Sequence, residues 1–144
     1  MSLFLDTGVI VAAMNPRDSN HGEASRLLRA AGEGRFGDVL TSDFVFDEAV
    51  TLALARTRRP ELATHVGEMI LGTGAAGRLM GVAYVSPRIF LRAWAMFQRL
   101  ASRGLSFTDC TSLVIIQSLG IEEIASFDKG FDGLVTRRGA GDSD

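Results

Sequence analysis

The chain has 144 residues, of which 47% are hydrophobic and 22% charged, and its formal net charge at pH 7 is −2. This length suits one domain with a sizeable core, and the composition is that of an ordinary globular protein. The near-neutral charge gives no overall sign of nucleic-acid binding, and the single cysteine, Cys110, excludes a disulfide framework and a multi-cysteine zinc site. No apolar run approaches membrane-spanning length and no secretory leader pattern is found, so we expect no membrane association and a cytoplasmic protein.

Short apolar runs predict four strands, and apolar residues at helical spacing predict six helices between them. The first strand ends at Asp6, and Ser42 and Ser106 are good N-caps for two of the helices. Strands are expected at residues 2–5, 39–41, 79–85 and 124–127. Helices are expected at residues 9–14, 21–31, 43–56, 60–70 and 87–102, with a last helix behind Ser106.

The predicted elements follow the order β-α-α-β-α-α-β-α-α-β, without a repeat or a linker. Strands that alternate with helices indicate a parallel sheet covered on both faces. We therefore expect an α/β fold, a three-layer α/β/α sandwich with a central parallel sheet of four or five strands. A single domain is expected over residues 1–136, followed by a polar, frayed C-terminal tail over residues 137–144. The aromatic residues of the helix at 87–102, Trp94 among them, are expected in the core.

Four acidic residues lie where the predicted fold could bring them together. Asp6 and Asp128 follow the first and last strands, and Asp109 lies in the first turn of the last helix. Glu48 projects from the apolar side of its helix, whereas Asp47 is turned by about 100° toward the polar side, so Glu48 is the better candidate ligand. Because the carboxyl ends of parallel strands form one edge of a sheet, we expect the four carboxylates to face the crevice at that edge.

Each acid also has a purely structural interpretation. Asp6 and Asp128 could form turns, and Asp109 could pair with Ser106 in a capping box. Glu48 is the hardest to explain in this way, since an acid on an inner helix face needs a partner. Converging carboxylates repel one another and are stabilised by a cation, and oxygen ligands select Mg²⁺ or Mn²⁺ over zinc. Hydrolysis of a phosphodiester is the natural reaction for such a site.

These residues resemble a known family. An aspartate after the first strand, a glutamate in a mid-chain helix and the run LSFTDCTSL…SFDKGF are similar to the PIN-domain nucleases, especially the VapC-like toxins of type II toxin–antitoxin pairs. The resemblance implies a homodimer, an RNA substrate and a cognate antitoxin that blocks the site. It also implies a Mg²⁺- or Mn²⁺-dependent endoribonuclease whose metal-binding and catalytic residues are Asp6, Glu48, Asp109 and Asp128.

Gly8 departs mildly from the family pattern, which often has a polar residue there, so any water-positioning role is expected of the Thr7 hydroxyl. Other functions stay open at this point. The chain could be a stand-alone RNA-processing nuclease or a non-catalytic α/β module that binds metal or a partner. A phosphotransfer or phosphatase domain, with Asp6 as nucleophile and Lys129 beside it, is a third alternative. The arginines at 56–59 and 137–138 are interpreted first as solvated charge and second as contacts to RNA phosphates.

Overall fold

The computed structural model describes residues 1–139, which form five strands, six α-helices and two short 3-10 turns. The strands are β1 (Ser2–Leu5), β2 (Asp38–Ser42), β3 (Gly81–Ala83), β4 (Glu123–Ala125) and β5 (Thr136–Arg138). The helices are α1 (Thr7–Met14), α2 (His21–Gly32), α3 (Asp43–Thr57), α4 (Pro60–Leu71), α5 (Pro87–Leu100) and α6 (Phe107–Leu119). The 3-10 turns are Ala101–Arg103 and Lys129–Phe131.

All five strands are parallel and lie in the order β3-β2-β1-β4-β5. The central strand β1 pairs with β2 on one side and β4 on the other, and its last three residues are fully buried. Helices connect the first four strands, as parallel pairing requires. The predicted α/β fold with a parallel sheet is therefore confirmed, and the sheet has five strands.

The fifth strand corrects the prediction for the end of the chain. Arg137 and Arg138 were expected in a frayed tail, but the Ser126 N–H donates to the Arg138 carbonyl at 2.8 Å and the strand pairs with β4. A polar sequence can form this strand because an edge strand pairs on one side only: Thr136 and Arg138 stay exposed, and the covered Arg137 side chain donates hydrogen bonds to the Ser126 carbonyl and the Asp132 carboxylate. The third strand is also shorter than predicted, covering Gly81–Ala83. Residues 140–144 of the predicted tail lie outside the described part of the chain.

Helix α6 lies at the centre of the packing. Eight consecutive residues from Asp109 to Ile116 are buried, so this helix is covered around most of its circumference. The Cys110 thiol is among the buried groups and is not in a disulfide. Burial raises its pKa first of all, and the charge of Asp109 raises it further, so the thiol stays protonated and unreactive.

The prediction that Trp94 is part of the core is wrong. Trp94 on α5 is 49% exposed and Phe90 is 45% exposed, whereas only Ala93 and Met96 of this helix are fully covered. The apolar face of α5 is wider than its contact with α6, and helical spacing alone does not reveal how much of a face is covered. Phe90 instead joins a surface cluster of edge-to-face rings, with its centroid 5.1 Å from that of Phe107. Within residues 1–139, no helix is both long and apolar enough to cross a membrane.

Candidate acidic site at the carboxyl edge of the sheet

Asp6 lies where β1 ends and α1 begins, and it is 7% exposed. Its N–H donates to the Ala125 carbonyl at 3.0 Å, which ties it to β4, and its carboxylate accepts a hydrogen bond of 2.6 Å from the Ser126 hydroxyl. Burial raises the pKa of Asp6 from 3.8 to about 7; the Ser126 hydrogen bond opposes this shift, and the charges of Asp109 and Glu48 add to it. A buried carboxylate near two others favours a proton or a cation.

Glu48 lies in α3 and is half-buried, whereas its neighbour Asp47 is exposed, so the two side chains are oriented as predicted. Burial raises the pKa of Glu48, and the charge of Asp109 raises it further. The hydroxyls of Thr108 and Thr7 act in the opposite direction. Glu48 therefore faces the other acids rather than the solvent side of its helix.

Asp109 lies in the first turn of α6 and is 8% exposed. The predicted capping box is present: the Ser106 N–H donates to Asp109 Oδ2 at 2.9 Å, and the Asp109 N–H donates to the Ser106 hydroxyl at 3.0 Å. Burial raises the pKa of Asp109, the bonds to Ser106 lower it, and the charge of Asp128 raises it. The capping box fixes the position of one carboxylate oxygen of Asp109. It does not explain why this side chain is buried or why other acidic side chains lie next to it.

Asp128 follows β4 and is more exposed than Asp6 and Asp109. Its Oδ1 accepts the Gly130 N–H at 2.8 Å, which is the turn-forming role considered above. Its own N–H donates to the Ser126 hydroxyl at 3.0 Å. Asp128 also contributes to the raised pKa of Asp109, so it lies at the same edge of the sheet.

Two residues that sequence reasoning did not assign complete the surroundings of the acids. Ser126 is fully buried and links Asp6 with Asp128 through one hydroxyl. Thr108 approaches Glu48 from the start of α6. The only sequence signal for Ser126 is a hydroxyl residue at the end of an otherwise apolar strand.

The structure thus brings Asp6, Glu48 and Asp109 together, with Asp128 beside Asp109, because strand ends and helix starts meet at one edge of the parallel sheet. Within residues 1–139, none of the four forms an ion pair with an arginine or lysine.

The donor chemistry fits a hard divalent cation, because all four side chains offer carboxylate oxygens. The Thr7 hydroxyl is buried beside them and, within residues 1–139, makes no hydrogen bond of standard geometry, although it lies close enough to Glu48 to lower its pKa. In the described part of the chain, no three acidic, histidine or cysteine side chains are already arranged to hold one metal ion. The residues therefore fit Mg²⁺ or Mn²⁺ in their donor chemistry, although their side chains are not already arranged as a ligand set.

Comparison with solved structures defines the class of this α/β fold. The crystal structure of Mycobacterium tuberculosis VapC20, described as a toxin that cleaves the sarcin-ricin loop, superposes with a TM-score of 0.77 at 29% identity, covering 90% of this chain and 92% of that one. VapBC2 from Rickettsia felis, bound to a DNA fragment from its promoter, superposes with a TM-score of 0.65 at 12% identity, covering 96% and 98%. At 12% identity, the similarity to VapBC2 is a similarity of fold alone.

Sequence comparison agrees with this class. The chain is 30% identical over 132 residues to the 23S rRNA-specific endonuclease VapC20 of Mycobacterium tuberculosis, covering 90% of this chain and 91% of the relative. It is 25% identical to a VapC ribonuclease of Archaeoglobus fulgidus, covering 91% and 80%. The sequence profile of the PIN domain matches residues 3–135. The chain belongs to the PIN domain family, and its relatives are VapC toxins.

Proposed function

We propose that this protein is a metal-dependent endoribonuclease and the toxin of a toxin–antitoxin pair. It hydrolyses RNA phosphodiester bonds at an acidic Mg²⁺ or Mn²⁺ site formed by Asp6, Glu48, Asp109 and Asp128. The observation that carries the proposal is the meeting of these acids at one sheet edge without a cationic partner in the described chain. The relatives named as ribonucleases support the reaction class.

Each carboxylate has a role that follows from its surroundings. Asp6 and Asp109 are the most buried, so they hold the cation most directly, and Glu48 and Asp128 complete the ligand set or orient the attacking water. A cation bound there supplies Lewis-acid polarisation of the phosphoryl oxygen and lowers the pKa of a bound water. The Ser126 hydroxyl keeps one oxygen of Asp6 in place and leaves the other for binding, as hydrogen bonds behind metal ligands commonly do. The buried Thr7 hydroxyl lies beside Glu48 and is positioned to hold water.

The partners follow from the relatives. VapBC2, whose fold this chain shares, is a toxin–antitoxin complex, which supports an antitoxin for this protein. The proposed substrate is RNA in the cytoplasm. A stand-alone RNA-processing nuclease would cleave RNA without an antitoxin, and a non-catalytic module would not cleave RNA. The cleavage experiment below separates the second of these alternatives from the proposed function.

A homodimer is part of the proposal, and the exposed apolar face of α5 supports it. Phe90, Leu91 and Trp94 are 45%, 66% and 49% exposed and lie side by side on one helix. A contiguous exposed apolar patch of this kind marks an interaction surface. We assign this face to contact with a second copy of the chain.

The proposal is tested with the purified protein, RNA and Mn²⁺, with and without a chelator. Cleavage that requires Mn²⁺ and disappears in the Asp109→Asn variant is the expected result. Asparagine keeps an oxygen for the Ser106 cap, so this variant should fold normally, which circular dichroism can verify. Cleavage that persists in the chelator, or in Asp109→Asn, would overturn the assigned site. No cleavage by the folded wild-type protein would favour the non-catalytic alternative.

A further inference from the structure

A second charged feature lies away from the acids. A cavity of about 280 Å³ opens where α1 and α3 end and α4 begins. Three arginine side chains line it, together with Asn15 and Thr57, and none of the lining residues within 1–139 is acidic. The three arginines are Arg17, Arg56 and Arg59. Guanidinium groups that surround one concave space are suited to an oxyanion, which they can bind with paired hydrogen bonds.

The positive charge of this cavity is only partly neutralised. Arg17 makes no ion pair within residues 1–139. Arg56 Nη1 lies 3.9 Å from Asp18 Oδ2, which is a long ion pair. Arg59 Nε lies 2.9 Å from Glu61 Oε1 on the exposed surface. The exposed Arg59–Glu61 pair contributes little and exchanges easily with another anion, and the Arg56–Asp18 pair is weak because its charged atoms lie at the limit of ion-pair distance. The cavity therefore keeps a local positive potential although the whole chain carries a net charge of −2.

The backbone brings these arginines to one place. Arg58 ends α3 in the left-handed conformation, with a φ of 55°, and α4 begins two residues later with Pro60. This tight reversal puts Arg56 at the end of one helix and Arg59 at the start of the next beside the same space. Arg17 comes from the loop behind α1, which packs against α3.

The helices that frame the cavity are the helices that carry two of the acids. Asp6 caps the start of α1, which ends just before Asn15, and Glu48 precedes Arg56 by eight residues on α3. At 1.5 Å per residue, each helix separates its acid from the cavity by about 12 Å. The acids and the cavity therefore lie toward opposite ends of the same two helices.

We propose that this arginine-lined cavity binds a backbone phosphate of the RNA substrate, away from the bond that is cleaved. The inference rests on the proposed function and names how the same site holds its substrate. Four carboxylates repel a polyanion, so a nuclease of this kind needs positive charge close by to bind RNA. Contacts to phosphate position a nucleic acid without reading its sequence, so the cavity sets affinity and register rather than sequence preference.

The test measures RNA binding and cleavage in Arg17→Gln and Arg56→Gln, with Arg26→Gln on α2 as the matched control. Arg26 is exposed, does not line the cavity and forms no ion pair in the part of the chain described here. Binding is followed by fluorescence anisotropy of labelled single-stranded RNA in the Asp109→Asn background with Mg²⁺, across a range of salt concentrations. Cleavage is measured in the wild-type background as KM and kcat.

Each cavity variant should bind RNA about two- to tenfold more weakly, and should do so equally for RNAs of different sequence. The slope of log affinity against log salt should fall by about one unit, because one phosphate contact is lost. KM should rise by a similar factor with kcat unchanged, since the contact is made equally in the ground and transition states. The control should leave affinity, slope and KM at wild-type values.

Wild-type affinity, slope and KM in both cavity variants would overturn the inference, and so would an equal loss in the Arg26→Gln control. Either result, obtained with a wild-type protein that cleaves RNA, leaves the proposed function intact. A wild-type protein that neither cleaves nor binds RNA would instead overturn the proposed function itself. If the cavity variants lose only binding to an acidic peptide and bind RNA normally, the cavity serves a protein partner and the inference is wrong.

Discussion

The Ser126 hydroxyl donates a hydrogen bond of 2.6 Å to Oδ2 of Asp6, although the two residues are 120 positions apart in the sequence. The same hydroxyl accepts the N–H of Asp128 at 3.0 Å. The backbone carbonyl oxygen of Ser126 accepts a hydrogen bond of 3.0 Å from the Arg137 guanidinium. A side chain at Gly139 would collide with this carbonyl oxygen. Ser126 therefore joins the ends of β1 and β4, and the edge strand β5 holds it in place.

Replacing Ser126 with alanine should weaken catalysis in a pH-dependent way. The hydrogen bond lowers the pKa of Asp6, so its loss should raise that pKa further and shift the acidic limb of the rate profile to higher pH. Loss of a group behind a metal ligand typically costs about 10–100-fold in activity, so we expect a loss of this size at pH 7 and a smaller one at pH 8.5. A pH–rate profile of Ser126→Ala, with Ser25→Ala as control, measures this. An equal loss at every pH would contradict the role given to Ser126.

The raised pKa of Asp6 predicts how the metal-free protein responds to pH. With a pKa of about 7 in the folded state and 3.8 as the ordinary value, the folded protein binds more protons than the unfolded chain between these pH values. The free energy of unfolding should therefore fall as pH rises from about 4 to 7. Asp6→Asn should remove much of this dependence and be more stable than wild type at pH 8. Urea denaturation in a chelator at pH 5 and pH 8, with Asp47→Asn as control, tests the sign, and a wild-type protein more stable at pH 8 would contradict it.

A divalent cation should reverse this loss of stability. At pH 8, Mn²⁺ at about 100 times its dissociation constant should raise the free energy of unfolding by about 3 kcal/mol, because it binds the folded protein only. Asp109→Asn should respond much less. Thermal melts across a Mn²⁺ titration measure the effect. A wild-type melting temperature that does not change with Mg²⁺ or Mn²⁺ would contradict a metal site.

How far the sequence predicts the molecule differs from one feature to the next. Asp6, Glu48 and Asp109 could be located because each follows a local signal: a strand end, an inner helix face, a cap in the first turn. Ser126 could not, since its contact with Asp6 depends on which strands are neighbours in the sheet. The exposure of Trp94 escaped prediction for a similar reason, because the coverage of a helix face depends on its tertiary partners.

The exposed face of α5 leads to a prediction about assembly. Trp94→Asp should convert a dimer to a monomer, because the indole is half exposed and a charge would be buried in the interface. The monomer should keep its fold, with a melting temperature close to that of a wild-type protein diluted below its dimer dissociation constant. Light scattering after size exclusion measures the mass, with Leu119→Asp, an exposed leucine on α6, as control. A wild-type monomer at high micromolar concentration would contradict the assignment.

The most direct test of the acidic site compares two neighbouring carboxylates on α3. Glu48 faces the other acids and Asp47 faces the solvent, so Glu48→Gln and Asp47→Asn each remove one charge from adjacent positions. In a Mn²⁺-dependent RNA cleavage assay, we predict that Glu48→Gln loses at least about 100-fold in rate, because loss of a group that only supports a ligand already costs about 10–100-fold, whereas Asp47→Asn cleaves at the wild-type rate. Equal rates for the two variants would contradict the proposal that the converging carboxylates form the catalytic centre.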